Sequence, residues 1–267
     1  MAARENGVII NADASQIYAD LRILSARPSP EDEARVPHRL YGIIDGATVC
    51  SAADWADRAK AAIADVHAAG QLPILVGGSG LYLRTLLDGI APVPAIDPDI
   101  RDAVRSLAAE ALHPALTRED PDMAARLAPT DRQRLSRALE VIRSSGRSLG
   151  TWQQELAGGI AATVTLRPLV VDVERAALYQ RCNTRLDAMM TAGALAEVET
   201  LGARGLSSAL PVMKALGVPQ LLALLRGEIA MAAALDQAKA TTRQYAKRQV
   251  TWFRNQTANW PRLMQNF

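Results

Sequence analysis

The chain has 267 residues, 49% of them hydrophobic, which is enough for one large domain or for a core with an inserted subdomain. Only 4% of the residues are aromatic, so aliphatic side chains must fill the core. A net charge of +2 is too small to indicate nucleic-acid binding by itself. No apolar run approaches the length of a membrane span and no leader pattern follows Met1, so we expect a cytoplasmic protein.

The first apolar run ends in a polar cluster. Residues 8–10 predict a buried parallel strand, and Asp13 is the first carboxylate after it, followed by Ser15 and Gln16. Ligands of open α/β sheets bind at the carboxyl ends of the strands, which makes Asp13 a candidate functional carboxylate. Asp is also a preferred helix N-cap, and the local sequence leaves capping and function as equal alternatives.

A loop and a helix are predicted next. Several prolines among charged residues predict a loop over residues 19–38. Ser51 and Asp54 form a candidate capping box, which predicts a helix to about Ala69 that Gly70 ends. Residues 72–76 then predict a second buried strand, followed by the turn Gly-Gly-Ser-Gly. Glycines in such a turn suit either an anion site at a helix N-terminus or a plain tight turn.

The middle of the chain, residues 96–150, reads as a series of short helices with a basic bias. Asp97 resembles a helix start and places Arg101 in the first turn. Further on, Leu135 and Leu139 share one helical face. Arg134 and Arg137 lie three residues apart on another face, which by charge alone is typical of a solvated surface.

The last part of the chain returns to an alternation of strand and helix. Strand character over residues 163–173 is followed by a helix from Glu174 to about Thr191 that carries Arg185, which could pair with Glu174 or Asp187. A basic stripe of Arg243, Lys247 and Arg254 then marks a final long helix. Cys50 and Cys182 form no Cys-x-x-Cys pair, and the histidines are not at ligand spacing, so no metal site or disulfide framework is indicated.

Four segments, in order, resemble motifs of the tRNA dimethylallyltransferase family. Residues 13–18 are similar to Asp-Ser-x-Gln-x-Tyr, with Ala14 in place of the Ser, and residues 75–82 are similar to Val-Gly-Gly-Thr-Gly-Leu-Tyr. Residues 131–141 are similar to Gln-Arg-x-x-Arg-Ala-Leu-Glu-Val, and residues 242–254 resemble the C-terminal signature. The resemblance covers essentially the whole chain.

The resemblance implies an α/β protein whose core is a P-loop nucleoside-kinase-like parallel sheet. Residues 1–95 and 151–267 would form this core, and residues 96–150 a helical insertion. Family members carry a first strand and a phosphate loop, Gly-x-x-x-x-Gly-Lys-[Ser/Thr], before the Asp motif, and this sequence contains no such loop. We therefore expect either a start upstream of Met1 or a truncated protein without that strand and loop.

The activity implied by the resemblance is transfer of a dimethylallyl group from dimethylallyl diphosphate to N6 of an adenosine next to the anticodon of tRNA. Asp13 would act as the base, Ser79 would touch the reacting site, and Arg185 with Mg²⁺ would meet the diphosphate; no metal ligands are assigned. By the same resemblance, the residues that contact tRNA are Asp13, Ala14, Ser15, Gln16, Ser79, Arg101, Gln133, Arg134, Leu135, Ser136, Arg137, Lys214, Arg243 and Lys247. We expect a monomer that does not bind membranes.

Two other functions stay open. The first is a kinase-like nucleotide-binding enzyme for a small molecule, which would not need the basic final helix or the pair Arg134 and Arg137. The second is a tRNA-binding remnant without catalysis, which is favoured if Met1 is the true start. A comparison of tRNA binding with prenyl transfer in one preparation separates the three functions.

Overall fold

The computed structural model describes residues 1–265, which divide into two compact units. The core unit contains Met1–Leu86 and the chain from Val164 onwards, and the helical unit is Leu87–Thr163. We predicted an insertion over 96–150, so the observed unit takes in additional residues on both flanks. These flanks pair with each other as two short antiparallel strands, which draws them into the helical unit.

Strands and helices alternate in the core unit, whereas the helical unit is built almost entirely from helices. The first part of the chain forms β1 (Gly7–Asn11), α1 (Pro30–Arg35), β2 (His38–Arg39), α2 (Ala52–Ala68), β3 (Leu72–Val76) and α3 (Gly80–Asp88). The middle forms β4 (Gly89–Ile90), α4 (Pro98–Ser106), α5 (Ala109–Glu119), α6 (Pro121–Ala125), α7 (Arg132–Ser145), α8 (Leu149–Trp152) and β5 (Ala157–Gly158). The last part forms β6 (Val170–Asp172), α9 (Arg175–Thr191), α10 (Ala194–Ala203), a 3-10 helix (Val212–Lys214), α11 (Val218–Leu225), α12 (Met231–Gln256) and β7 (Arg262–Met264).

Strand β1 is the centre of a parallel three-stranded sheet with the order β2-β1-β3. Val8 and Ile10 are fully buried, as expected for a strand that is covered on its faces. The predicted buried parallel strand and the α/β class with a parallel sheet are therefore confirmed. Asn11 is paired with Val76 at the ends of β1 and β3, so the segments that follow both strands leave the sheet at the same edge.

Strand β3 occupies the predicted residues but is less buried than we predicted. Leu72 and Val76 at its two ends are 41% and 48% exposed. Because β3 is the last strand in the order of this sheet, one of its edges has no neighbour there to cover it. Strands β6 and β7 form a separate parallel pair.

Helix α2 was predicted from its capping signals and is confirmed. Ser51 accepts a hydrogen bond from the Asp54 N–H while Asp54 reaches back to the Ser51 N–H, so two otherwise unpaired donors are satisfied. Gly70 follows the helix with a φ of +67°, a backbone conformation that glycine adopts without steric cost. Trp55 is fully buried, and its indole N–H donates to the carbonyl of Asn11 at 2.9 Å, which ties the helix to the end of β1.

Two predictions about local structure were wrong. The loop predicted over residues 19–38 contains α1, because Pro30 lies at the first helical position, where its missing N–H is harmless, and Ser29 caps the helix. The strand character predicted over residues 163–173 yields only β6. Pro168 lacks an N–H to donate to a strand ladder, and the partner strand β7 is itself only three residues long.

The helical unit has its own apolar core. As predicted, Asp97 caps α4. Its carboxylate accepts hydrogen bonds from backbone N–H groups in the first turn of the helix. Helices α4, α5 and α7 pack together, with α6 against α5. The buried side chains at their centre include Val104, Leu112, Leu116, Leu135 and Leu139. Within residues 1–265 no helix is both long and apolar enough to pass through a lipid bilayer.

Candidate active site

Asp13 lies just after β1, at the carboxyl edge of the three-stranded sheet. Its Oδ1 accepts a hydrogen bond from the Ser15 N–H at 2.8 Å, which closes a turn within the segment itself. No helix begins in residues 12–16, so Asp13 is not a helix N-cap. The structure therefore removes the capping alternative that the sequence left open.

The surroundings of Asp13 act on its acidity in opposite directions. Burial raises the pKa of Asp13 above its ordinary value, because desolvation penalises the charged carboxylate. Hydrogen bonds from the backbone N–H groups of Ser15 and Gln16, the Ser15 side chain and the charge of Arg185 all lower the pKa, to a smaller extent. A carboxylate that is partly withdrawn from water but oriented by donors is suited to accept a proton.

Ser79 is buried in the turn between β3 and α3, and it contacts the Asp13 segment directly. Its hydroxyl oxygen accepts the Ala14 N–H at 2.9 Å, and its own N–H donates to the Ala12 carbonyl at 3.2 Å. A Cβ on Gly77 would lie 2.2 Å from the Ala12 carbonyl, so a larger residue could not be placed there. The glycines of this turn thus permit a close approach of two chain segments, which favours the tight-turn interpretation over an anion site.

Two tyrosines that we did not predict as site residues interact electrostatically with Asp13. Burial, followed by the charge of Asp13, raises the pKa of Tyr245 on α12, and the Ser79 side chain lowers it to a smaller extent. Burial, with the charges of Asp13 and Glu33, raises the pKa of Tyr41 to about 12. Both phenols are therefore neutral at physiological pH. They come from distant parts of the chain, so no local sequence pattern could have indicated them.

Arg185 lies on α9, is exposed, and adds positive charge to the site. Its two possible partners are engaged elsewhere, because Asp187 forms an ion pair with Lys239 at 2.7 Å and Glu174 caps the start of α9. Arg185 forms no ion pair with any residue in the described part of the chain, although its charge lowers the pKa of Asp13. The structure thus brings the predicted residues Asp13 and Arg185 within electrostatic reach of each other.

Gln16 and Arg243, predicted to contact tRNA, have internal hydrogen-bond partners. The Gln16 amide donates to the carbonyls of Ser25 and Ala26 at 3.0 and 2.9 Å. Arg243 donates to the Asn183 Oδ1 at 2.7 Å, which links α12 to α9. These hydrogen bonds therefore hold neighbouring segments of the core unit together.

Lys214, Lys247 and Arg254 of the core unit are exposed. Lys247 and Trp252 line an open groove that follows α12 and that is otherwise lined by polar and basic side chains. The predicted basic stripe is thus accessible at two of its three positions, since Arg243 is only half-exposed.

The helical unit carries the remaining predicted tRNA contacts, which are Arg101, Gln133, Arg134, Leu135, Ser136 and Arg137. Arg134 lies 3.5 Å from Asp131, and Arg137 lies 3.8 Å from Glu140. The Arg134 side chain is 75% exposed and its partner Asp131 33%, and a pair this exposed is worth only ~0–1 kcal/mol, so Arg134 can exchange Asp131 for a phosphate. Arg137 is 44% exposed, but its partner Glu140 is only 8% exposed; Glu140 also lies 3.4 Å from Arg105 and therefore keeps one cation if Arg137 turns to a phosphate.

Leu135 must be corrected as a tRNA contact. Its side chain is 0% exposed in the core of the helical unit, next to the equally buried Leu139 one turn later. The matched motif here combines an exposed face with a buried one, and Leu135 belongs to the buried face. Its side chain stabilises α7 and is not available to a ligand.

The described residues do not provide a complete set of protein ligands for the expected Mg²⁺. No group of three or more His, Cys, Asp or Glu side chains within residues 1–265 could hold a metal ion. Mg²⁺ in phosphate chemistry is typically held by one or two carboxylates together with the substrate phosphates. Asp13 is a single carboxylate, so it could help to hold Mg²⁺ only if the diphosphate supplied other ligands of the metal.

The model of the IPP transferase family matches residues 16–256 of this chain. The chain belongs to the IPP transferase family. The predicted family is thus confirmed. An IPP transferase relative from Sphingopyxis alaskensis, a tRNA dimethylallyltransferase, is 58% identical over 98% of this chain and 86% of its own length. A tRNA dimethylallyltransferase from Novosphingobium aromaticivorans is 55% identical over 97% of this chain and 92% of its own length.

Solved structures of IPP transferases have the same fold. The full-length tRNA isopentenylpyrophosphate transferase from Bacillus halodurans is 34% identical and has a TM-score of 0.70, over 98% of this chain and 83% of its own. A eukaryotic dimethylallyltransferase, solved while acting on tRNA, is 25% identical and has a TM-score of 0.81, over 98% of this chain and 68% of its own.

Proposed function

We propose that this chain transfers a dimethylallyl group from dimethylallyl diphosphate to N6 of an adenosine next to the anticodon of tRNA. The relatives named tRNA dimethylallyltransferase support the reaction class. The observation that carries the proposal is the pair Asp13 and Ser79 at one edge of the sheet, together with Arg185 on α9, whose charge acts on Asp13. These residues offer a base, a hydroxyl beside the base, and a cation.

The reaction requires a proton acceptor. The neutral exocyclic amine is a weak nucleophile, so its proton must leave as the bond from N6 to C1 of the dimethylallyl group forms. Asp13 accepts that proton, because burial makes its carboxylate more basic than an exposed one while Ser15 keeps it oriented. Ser79 is held against Ala14 and limits how the reacting base approaches the carboxylate.

The reaction also requires stabilisation of the leaving group. As the bond from C1 to oxygen breaks, negative charge accumulates on the diphosphate, and a preorganised cation lowers the energy of that transition state. Arg185 supplies this charge, since neither Asp187 nor Glu174 neutralises it. Mg²⁺ would be carried by the diphosphate, where it would neutralise part of the phosphate charge.

Exposed basic side chains bind phosphates of the tRNA. Arg134 and Arg137 on the helical unit, and Lys214 and Lys247 on the core unit, offer positive charge to phosphates. The target adenosine leaves its base stack to reach Asp13, as in other enzymes that modify bases.

One experiment separates this proposal from the two alternatives. The protein is incubated with unmodified tRNA and radiolabelled dimethylallyl diphosphate, and in parallel with radiolabelled ATP and the same tRNA. We expect label from the diphosphate substrate to enter tRNA and no transfer from ATP. Tight tRNA binding without transfer would instead support a binding remnant, and consumption of ATP without tRNA modification would support a small-molecule kinase.

The basic face of α7 gives a prediction about salt. If Arg134 and Arg137 bind phosphates, changing both to Gln should weaken binding of all tRNAs to a similar degree, because phosphate contacts carry no sequence information. Each lost contact should reduce the slope of log affinity against log salt by roughly 0.7–0.9. The slope is measured by filter-binding titrations at several salt concentrations.

A matched control removes two charges elsewhere on the same unit. Arg118 and Arg126 are also exposed, and changing both to Gln should leave the slope unchanged. An unchanged slope for the Arg134 and Arg137 variant would mean that those arginines only solvate the surface.

A further inference from the structure

Asn11, the last residue of β1, forms two hydrogen bonds with the backbone of Asp13 through its side-chain amide. Its Oδ1 accepts the Asp13 N–H at 2.8 Å, and its Nδ2 donates to the Asp13 carbonyl at 3.0 Å. These two groups belong to the peptide units on either side of the Asp13 Cα. Because both are held by one planar amide, the direction in which the Asp13 side chain leaves the backbone is held as well.

The same amide restrains a second segment. Nδ2 of Asn11 also donates to the carbonyl of Leu40 at 3.0 Å. Leu40 has a φ of +64°, a left-handed conformation that is unfavourable for a residue with a side chain and persists only where its surroundings impose it. Two residues later, the Gly42 N–H donates to the Gln16 carbonyl at 2.9 Å. Tyr41, whose pKa the charge of Asp13 raises, therefore lies between two residues that are hydrogen-bonded to the segment around Asp13.

Asn11 is itself buried and fully hydrogen-bonded. It is 0% exposed, and both hydrogens of its Nδ2 are used, one on Asp13 and one on Leu40. Its backbone carbonyl accepts the indole N–H of Trp55, whose ring stacks on Tyr82 with centroids 4.5 Å apart. Only Asn and Gln carry a planar amide with one acceptor and two donors, and Gln is one methylene longer, whereas Asp would place an oxygen against two carbonyls.

We propose that Asn11 is a positioning residue that sets the orientation of the Asp13 carboxylate and fixes the Tyr41 segment around it. The proposal rests on the proposed role of Asp13 as the base. Asn11 touches no substrate in this account, and its effect on the reaction passes through Asp13.

Replacement of Asn11 by Ala should reduce the single-turnover rate of transfer by about 10- to 100-fold, since displacement of a reacting group by an ångström has an effect of that order. The dissociation constant for tRNA should stay within about twofold, because phosphate contacts made far from Asn11 dominate that affinity. The rate is measured with tRNA and dimethylallyl diphosphate at saturation and corrected for the folded fraction.

The decisive test is the double variant with Asp13→Ala. If Asn11 acts through Asp13, the double variant should be no slower than Asp13→Ala alone, because residues that act as a unit are not additive. A further loss equal to that of Asn11→Ala alone would show a general structural role and overturn the proposal. If Asp13→Ala itself keeps the wild-type rate, the proposed function of Asp13 fails instead, and the two failures are thus distinguishable.

Two variants distinguish a slower reaction from a loss of folded protein. Val8→Ala removes a fully buried side chain from the same strand and should keep the wild-type rate per folded molecule. Asn11→Ala combined with Leu40→Gly should fold more stably than Asn11→Ala alone, since glycine adopts a positive φ freely. That variant should remain slow. Recovery of the wild-type rate in it would show that only loop strain mattered and would overturn the role of Asn11 at Asp13.

Discussion

Replacement of Asp13 by Asn should reduce turnover by ~10²–10⁴ and, at the same time, make the folded protein more stable at neutral pH. The loss of turnover follows because Asn keeps the shape and the acceptor for the Ser15 N–H but cannot take a proton from the adenosine amine. Binding of tRNA should change little. Single-turnover rates and thermal unfolding of the same preparation test both parts.

The stability gain follows from the sign of the pKa shift. Burial raises the pKa of Asp13 in the folded protein above its value in the unfolded chain. Below the unfolded pKa of about 3.9 the carboxyl is protonated in both states, and its contribution to the free energy of unfolding is fully present. That contribution is lost as the pH rises through the folded pKa, because the buried group must then carry a charge. Asn carries no charge at any pH and avoids that loss. The advantage of the variant should be present at pH 7 and should vanish near pH 3–4.

An exposed carboxylate provides the control. Asp236 lies on the solvent-facing side of α12, and Asp236→Asn removes the same charge without burial. It should leave turnover unchanged and should not reproduce the stability gain of Asp13→Asn at pH 7. Wild-type turnover in Asp13→Asn would exclude Asp13 as the base, and a variant that is less stable than the wild type at pH 7 would contradict the desolvation argument.

Replacement of Arg185 by Gln should lower the rate of transfer by ~10²–10³, the usual effect of removing one group that stabilises developing negative charge. The loss should appear in the chemical step, because the charge on the leaving diphosphate is largest in the transition state. The affinity for tRNA should be almost unchanged. Because the charge of Arg185 lowers the pKa of Asp13, the acid limb of the pH–rate profile should also move to higher pH.

Two further variants test whether the geometry of the Arg185 side chain and its position on α9 matter. Arg185→Lys keeps the charge but not the two-pronged geometry and should recover part of the rate. Arg181→Gln, one turn earlier on α9, should have a much smaller effect than Arg185→Gln. Equal losses in both Gln variants would mean that the helix carries only a general positive field and that Arg185 has no particular role.

The sequence predicted those parts of the fold that local chemistry determines. The apolar run of β1 and the capping box of Ser51 and Asp54 contain their own signals, and both were confirmed. Helix α1 carries the same kind of box at Ser29 and Asp32, but the prolines around it indicate a loop. Pro30 is compatible with a helix because it occupies the first position.

The site was predicted less completely because its geometry depends on distant contacts. Asn11 and Leu40 are joined by a hydrogen bond across 29 positions of sequence, and nothing in either segment alone indicates it. Tyr245 and Asp13 interact although they lie near opposite ends of the chain, and no pattern in either segment indicates it. Leu135 was assigned to tRNA by its place in a motif, although its spacing from Leu139 already indicated a buried face.

The mass and position of the modified nucleoside in reacted tRNA test the proposed reaction most directly. The wild-type protein is incubated with unmodified tRNA and dimethylallyl diphosphate, and the tRNA is then digested and analysed by mass spectrometry. We predict one adenosine next to the anticodon that carries a dimethylallyl group on N6, and almost none with Asp13→Asn. Absence of this nucleoside with the wild-type protein, or a dimethylallyl group on any other atom, would contradict the proposed function.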